Sequence, residues 1–198
     1  MLVRALRAEG LPAGARVLDV CTGSGVLAIS AALDGAHATA VDVSRRSVLC
    51  ATLNARLNGV RVRALRGDLL APVDGERFDA IVSNPPYLPA EDDAVPARGP
   101  ARAWDAGRDG RELLDRLCRQ APRHLTPGGV VLIVHSEVCG IEATLDALHA
   151  AGLHAQVAER HHGTLGPLLR SRAPELEARG LLAPGQRDEE VVVVRGGA

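Results

Sequence analysis

The chain contains no lysine; all 23 basic residues are arginine, set against 24 acids for a net charge of −1. The arginine-only, alanine-rich composition reads as a GC-rich coding bias. The near-neutral balance argues against a strongly basic nucleic-acid binder, while leaving room for a local basic patch. Aromatic residues make up 2% of the chain, and Phe78, Tyr87 and Trp104 are the three of them. Random placement rarely puts all three within one short region, so that region draws attention. The four cysteines, Cys21, Cys50, Cys118 and Cys139, include no pair at zinc-type CxxC spacing. Their scatter through apolar segments points to buried free thiols, to a reducing cytoplasmic compartment and to no bound metal. No apolar run approaches membrane-spanning length. The opening MLVRALRAEG is too short and too charged for a signal peptide.

At 198 residues the chain suits a single domain, 1–198, long enough for a sizeable core. Neither an internal repeat nor a low-complexity linker interrupts it. Apolar runs alternate with helical patterns. Strands are expected at 15–21, 37–43, 60–67, 78–83, 128–136, 153–160 and 190–196, the fifth after a Pro-Gly-Gly turn. Helices are expected at 25–35, 44–59, 111–125 and 140–152. Ser44 is placed to cap the second helix, and Gly59 lies just past its end. Alternating elements with near-continuous apolar strands predict an α/β sheet, mostly parallel, covered by helices on both faces. Two connections are long: Leu88 to Gly110, and an insertion between the last two strands at 163–188, with a helix expected around Leu168–Arg179. Long loops in compact domains are often functional.

The first strand runs into DVCTGSG, residues 19–25. Glycines there permit a tight turn and a close ligand approach, and the helix that follows offers free N–H groups. Gly23, Gly25 and Ala28 satisfy a relaxed dinucleotide pattern, with Asp42 where a ribose-binding acid is expected, so a nicotinamide oxidoreductase has to be weighed. Asp19 points elsewhere. An acid at the strand end repels a pyrophosphate and suits a cation such as an α-amino group.

The fourth strand stops on SNPPYLP, residues 83–89. Pro85 and Pro86 have no N–H and offer only carbonyl acceptors. Asn84, ahead of a proline, is held out of the helical region, and its side-chain oxygen is a further acceptor. Two fixed acceptors suit a planar NH2 group with two donors, and Tyr87 supplies a face for such a group to lie on.

Taken together, the strand-end acid, the Gly-x-Gly turn, the acid after strand two and Asn-Pro-Pro-Tyr after strand four resemble the S-adenosylmethionine-dependent methyltransferases over nearly the whole chain. The resemblance implies a Rossmann-like seven-stranded sheet whose last strand is antiparallel. It places Asp19, Cys21, Thr22, Gly23 and Gly25 at the methionine and ribose end of the cofactor. Asp42, with Val43 beside it, would meet the ribose hydroxyls, and Asp68 and Leu69 the adenine. Asn84, Pro85 and Tyr87 would carry catalysis, with Asn84 also against the cofactor. Pro86, Tyr87, Trp104 and Arg108 would shape the substrate side. Cys21 stands where family members often have glycine.

Asn-Pro-Pro-Tyr is shared by enzymes that methylate exocyclic amines of nucleic-acid bases and by enzymes that methylate a glutamine amide. Base-flipping DNA enzymes usually carry a separate recognition domain, and there is no room for one here. An RNA enzyme would want a basic patch. The segment AWDAGRDGRELLDRL, 103–117, and LTPGG followed by LIVHS are similar to the HemK-like glutamine methyltransferases, in the short eukaryotic and archaeal branch. That resemblance implies a release factor as substrate, in a Gly-Gly-Gln context, and a small zinc-binding activator that shelters an apolar surface. An RNA or DNA amine methyltransferase is the alternative, and an inactive cofactor-binding subunit a second one. Related proteins also have an upstream Tyr/Pro/acid/Thr segment over the cofactor. The chain starts after it, which implies weakened cofactor affinity.

Overall fold

The computed structural model describes every residue from Met1 to Ala198. Seven strands form one sheet: β1 (Arg16–Val20), β2 (His37–Asp42), β3 (Val62–Arg66), β4 (Phe78–Ser83), β5 (Leu125–Ser136), β6 (His154–Thr164) and β7 (Asp188–Gly197). Six helices accompany them: α1 (Leu2–Ala8), α2 (Val26–Leu33), α3 (Arg45–Leu57), α4 (Glu112–Gln120), α5 (Ile141–Ala150) and α6 (Pro167–Ala178). The strand order is β3-β2-β1-β4-β5-β7-β6. β1 to β5 pair in parallel, and β7 runs antiparallel to both β5 and β6. The expected mostly parallel sheet with a reversed last strand is therefore present.

The strands are apolar on both sides because both faces are covered. Leu18, Ile81 and Ile133 join a core with Leu114 and Leu117 of α4 and Leu148 of α5. Val17, Val82 and Leu132 point the other way, into a second core with α1 and α2. Burying leucine- or isoleucine-sized side chains this way contributes roughly 1.5–3 kcal/mol each.

The sheet order fixes where a ligand can sit. From β1 the chain goes to β2 and β3 on one side, then returns to β4 on the other. The ends of β1 and β4 thus flank the point where the winding reverses, the usual ligand crevice in such sheets. Val20 pairs with Ser83 there, and the buried Ser83 hydroxyl donates to the Val20 carbonyl at 2.8 Å. The glycine loop and Asn-Pro-Pro-Tyr leave the sheet side by side as a result.

Several elements differ from the sequence expectations. Helix α1 was not expected, yet Leu2, Ala5 and Leu6 are buried at helical spacing, a stripe short enough to be masked by the charges around it. The helix expected over 111–125 ends at Gln120 and tightens into a 3-10 turn, Ala121–His124, with Pro122 near its start. β5 begins at Leu125, before the glycines, and its pairing with β4 shifts register between Phe78 and Ala80. The Pro-Gly-Gly stretch is an irregularity inside the strand rather than a turn ahead of it. All four cysteines are free: Cys118 and Cys139 are buried, Cys21 is half-buried, and Cys50 is exposed on α3, where a 3.6-residue period carries it outward.

Candidate active site

The loop after β1 is held by two carboxylates. Asp19 is fully buried; its Oδ2 accepts from the Thr22 hydroxyl at 2.5 Å and from the Ala28 N–H at 3.1 Å. Its other oxygen, Oδ1, has no partner. Burial pushes the Asp19 carboxyl up to about 7, against the pull of the Thr22 and Ala28 bonds. Asp42 accepts from the Gly23 N–H at 2.9 Å and from the Ser44 N–H at 2.8 Å, which ties the end of β2 to the loop.

Gly25 caps α2 in the left-handed region, φ +88°. A β-carbon there would lie 2.9 Å from the Ala51 β-carbon, so α2 and α3 can approach only because this residue is glycine. Cys21 and Leu69 also take left-handed backbone, φ +60° and +46°, a conformation costly for both side chains. Such strain concentrates where surrounding structure over-determines a site. Cys21 lies among Asp42, Asp19 and Asp68. Burial first, and these three charges next, push its thiol up to about 12. Asp68 itself is mostly exposed and paired with Arg116 of α4, and Val43 accepts from the Arg66 side chain at 3.2 Å.

A second surface lies beyond this loop. Asn84 is exposed, and Pro85 is buried beneath it. The main-chain carbonyls of Asn84, Pro85 and Pro86 take no backbone hydrogen bond. The acceptors deduced from the proline pair are thus unspent. The Tyr87 carbonyl, in contrast, is fixed: the Cys139 thiol donates to it at 2.8 Å. Gly110 packs against the same carbonyl, and any β-carbon there would collide with it. Arg111, nearly buried, donates to the Cys139 and Gly140 carbonyls at 2.5 and 3.0 Å and pairs with Asp115 at 2.6 Å. These contacts set the corner rigidly against α4 and α5.

Asn84, Pro85, Pro86 and Tyr87 line one wall of a cleft of about 270 Å³. Ala103 and Trp104 form a second wall. Gly166 to Leu169, at the start of α6, form a third, with Glu189 at the start of β7. Burial, followed by the charge of Glu189, pushes the Tyr87 phenol up to about 12, so Tyr87 stays a neutral face at ordinary pH.

The loop between Leu88 and Gly110 is pinned rather than free. Leu88 N–H donates to the Trp104 carbonyl at 2.7 Å, and Ala106 N–H to the Leu88 carbonyl at 3.0 Å. Helix α6 grips it from outside. Arg172 donates to the Pro89 carbonyl at 2.7 Å and lies 2.7 Å from Asp105, and Arg179 donates to the Ala90 carbonyl at 3.0 Å. Leu88, Val138, Leu165, Leu169 and Leu176 close an apolar cluster beneath.

The structure brings Asp19, Thr22, Gly23, Gly25 and Asp42 together at the glycine loop, and Asn84 to Tyr87 with Trp104 at the cleft. Arg108 does not line the cleft; its side chain is exposed and reaches Asp93 at 4.0 Å. The third wall is the start of the helix expected around Leu168–Arg179 in the 163–188 insertion, whereas Glu189 escaped the sequence reading. One signal could have found it: a reversed last strand starts at the same sheet edge where the parallel strands end.

A glycine loop braced by two acids, at the switch point of this seven-stranded sheet and beside Asn-Pro-Pro-Tyr, defines an S-adenosylmethionine-dependent methyltransferase. The cofactor is a sulfonium with an ammonium group, and the residues present fit it: carboxylates surround the loop, and the unpartnered Asp19 Oδ1 is an unused acceptor. No cluster of three or more His, Cys, Asp or Glu side chains is placed to hold a metal, and no helix is long and apolar enough to cross a membrane. Comparison with known proteins narrows the class. Residues 1–97 match the Methyltransferase small domain family. A putative protein N5-glutamine methyltransferase of Methanocaldococcus jannaschii is 37% identical over 145 residues, 73% of either chain. The chain therefore belongs to the HemK-like protein glutamine methyltransferase family.

Bacterial relatives include a ribosomal protein uL3 glutamine methyltransferase of Bradyrhizobium diazoefficiens, 47% identical over 58% of this chain. A release factor glutamine methyltransferase of Gloeobacter violaceus is 39% identical over 61% of it. The chain covers only 38% and 46% of these two proteins. Among solved structures, the E. cuniculi Mtq2-Trm112 complex, described as methylating the eRF1 translation termination factor, superposes with a TM-score of 0.64 at 22% identity. That match covers 99% of this chain and 92% of the matched one, and its likeness is one of fold.

Proposed function

We propose that the chain methylates the side-chain amide of a glutamine in a peptide chain release factor, in a Gly-Gly-Gln sequence. The observation that carries this reading is the cleft against Asn84-Pro85-Pro86-Tyr87. It offers unspent acceptors beside a neutral aromatic face, and its Asn84 wall continues from β4, whose end pairs with the end of β1 that leads into the glycine loop. The Asn84 side-chain oxygen and the Pro85 carbonyl accept the two N–H bonds of the amide. That pulls electron density onto the nitrogen and aims its lone pair. S-adenosylmethionine, when bound, supplies an electrophilic methyl on sulfur. With the cofactor held at the glycine loop by Asp19 and Asp42, the amide nitrogen would take the methyl as the C–S bond breaks, sulfur would keep the electron pair, and one amide proton would pass to water. Orientation of this kind is worth roughly 7–11 kcal/mol of barrier.

The named bacterial relatives divide between release factors and ribosomal protein uL3, so both are tested. The protein is incubated with labelled S-adenosylmethionine and, separately, a release factor, uL3, transfer or ribosomal RNA, and DNA. Label on the release-factor glutamine is expected. Label on RNA alone would overturn the assignment, and label on uL3 alone would move the acceptor without moving the chemistry.

A small zinc-binding activator completes this reading. Beside the β3 edge, α3 exposes Leu49, Leu53 and Leu57 at successive turns, the last 84% exposed. A stripe of this kind on one helix is an interaction surface in need of cover.

Helix α6 acts as the substrate-side wall. Removing the Arg172 side chain leaves Asp105, 8% exposed, without its cation, at a cost of about 1–3 kcal/mol. Arg172→Ala is expected to raise the acceptor KM about tenfold and leave cofactor affinity within twofold. Steady-state kinetics with calorimetric titration of the cofactor checks this, and an unchanged acceptor KM would rule out the role.

A further inference from the structure

Glu189 is the one charged side chain that lines the acceptor cleft. It lies on β7, half-buried, opposite Gly163 in the β6 ladder. Its Oε1 accepts from the Gly166 N–H at 2.8 Å, at the entrance to α6. This bond fixes the carboxylate in the cleft wall and leaves Oε2 unused. Neighbouring acids are matched with cations: Glu190 with Arg160, Asp105 with Arg172, Glu175 with Arg179. Glu189 has no such partner. Glu189 and Tyr87 line the same cleft. No arginine or histidine lines the cleft.

We propose that Glu189 is a specificity-determining residue that binds a cationic side chain of the acceptor polypeptide, close in sequence to the methylated glutamine. The inference rests on the glutamine reading above and extends it to the residues around the acceptor. The same carboxylate turns phosphate-bearing chains away, because a phosphodiester brought to this wall meets like charge with no compensating arginine. Selection works through attraction of one class of acceptor and repulsion of the other. The Gly166 bond serves this purpose by holding the carboxylate in one orientation.

The test uses three peptides with a Gly-Gly-Gln acceptor, flanked by arginine, by alanine or by glutamate, alongside the intact release factor. The enzymes are the wild-type chain, Glu189→Gln and Glu189→Arg. Glutamine keeps an oxygen for the Gly166 N–H and loses only the charge. The wild-type chain is expected to favour the arginine peptide over the alanine peptide about tenfold in kcat/KM, the scale of one charge-assisted hydrogen bond. The difference is expected in KM. Glu189→Gln is expected to erase the preference, with kcat/KM on the arginine peptide falling to that on the alanine peptide, and Glu189→Arg to favour the glutamate peptide. A purely structural role for Glu189 would slow all three peptides alike. Equal discrimination by the wild-type chain and Glu189→Gln overturns the proposal and leaves the glutamine reading standing. Failure to methylate any peptide or the release factor, with label on RNA, overturns both.

Discussion

Asn84→Ala is expected to lower kcat about 10²–10³-fold, the usual loss when one preorganised polar contact to the reacting group is removed. The magnitude follows from what remains. The Pro85 carbonyl still accepts one N–H, but the amide loses its second anchor and can turn about the first. The Asn84 side chain is exposed, so its removal leaves no buried group unsatisfied. Stability should stay within about 0.5 kcal/mol of the parent chain, as for surface changes generally. Cofactor affinity is expected to change a few-fold at most, since Asp19 and Asp42 remain. Asn84→Asp is a sharper comparison. It keeps the acceptor oxygen, yet brings a second negative charge toward a cleft that already holds Glu189. Intermediate activity is expected, with a larger loss at higher pH. Single-turnover rates with a glutamine peptide, read beside cofactor titrations, measure all of this. An Asn84→Ala chain with full activity would falsify the acceptor mechanism itself.

The parts of the site visible in the sequence share one property: each is encoded in a few adjacent residues with unusual backbone demands. Asp19 to Gly25 must make a tight turn between a strand and a helix. Asn84 to Tyr87 must end a buried strand on two residues without N–H groups. Such demands leave a local mark, and the strand order then brings the two segments together at the switch point. Glu189 leaves no such mark. It stands in an acidic run, DEE, that reads as the solvated start of a strand, and its place in the cleft follows from β7 running against its neighbours. The grip of Arg172 and Arg179 on main-chain carbonyls of the 88–110 loop is equally silent in sequence, because backbone acceptors have no residue type. Trp104 shows the middle case. Its rarity singled it out, but only the Leu88–Trp104 hydrogen bond and the packing of α6 reveal that it is a cleft wall. Cys50 shows the opposite error, where residue type suggested burial and helical phase placed the thiol outside.

Asp19→Asn is expected to separate stability from cofactor binding, in opposite directions. Burial raises the folded-state pKa of Asp19 to about 7, from 3.8 for the free side chain. Between those values the folded chain holds a proton that the unfolded chain has released. The favourable contribution is complete below about 4 and is lost as pH rises toward 7. At about 1.4 kcal/mol per pKa unit, the ionised carboxylate costs the cofactor-free protein up to roughly 4 kcal/mol at pH 8. Asparagine keeps an oxygen for the Thr22 hydroxyl and the Ala28 N–H and carries no charge at any pH. The cofactor-free variant should therefore melt higher than the parent chain at pH 8, by a margin that shrinks to less than half at pH 5 and closes only below about pH 4. Cofactor binding should move the other way. The parent carboxylate, once ionised, offers its unpartnered oxygen and its charge to the cationic end of S-adenosylmethionine, so affinity should rise as pH passes 7. The variant should bind at least about tenfold more weakly at pH 8, and its affinity should be flat across that range. Melting curves and calorimetric titrations from pH 5 to 8.5 read both effects. Parallel pH profiles for the two proteins would show that Asp19 stays ionised throughout and only braces the loop.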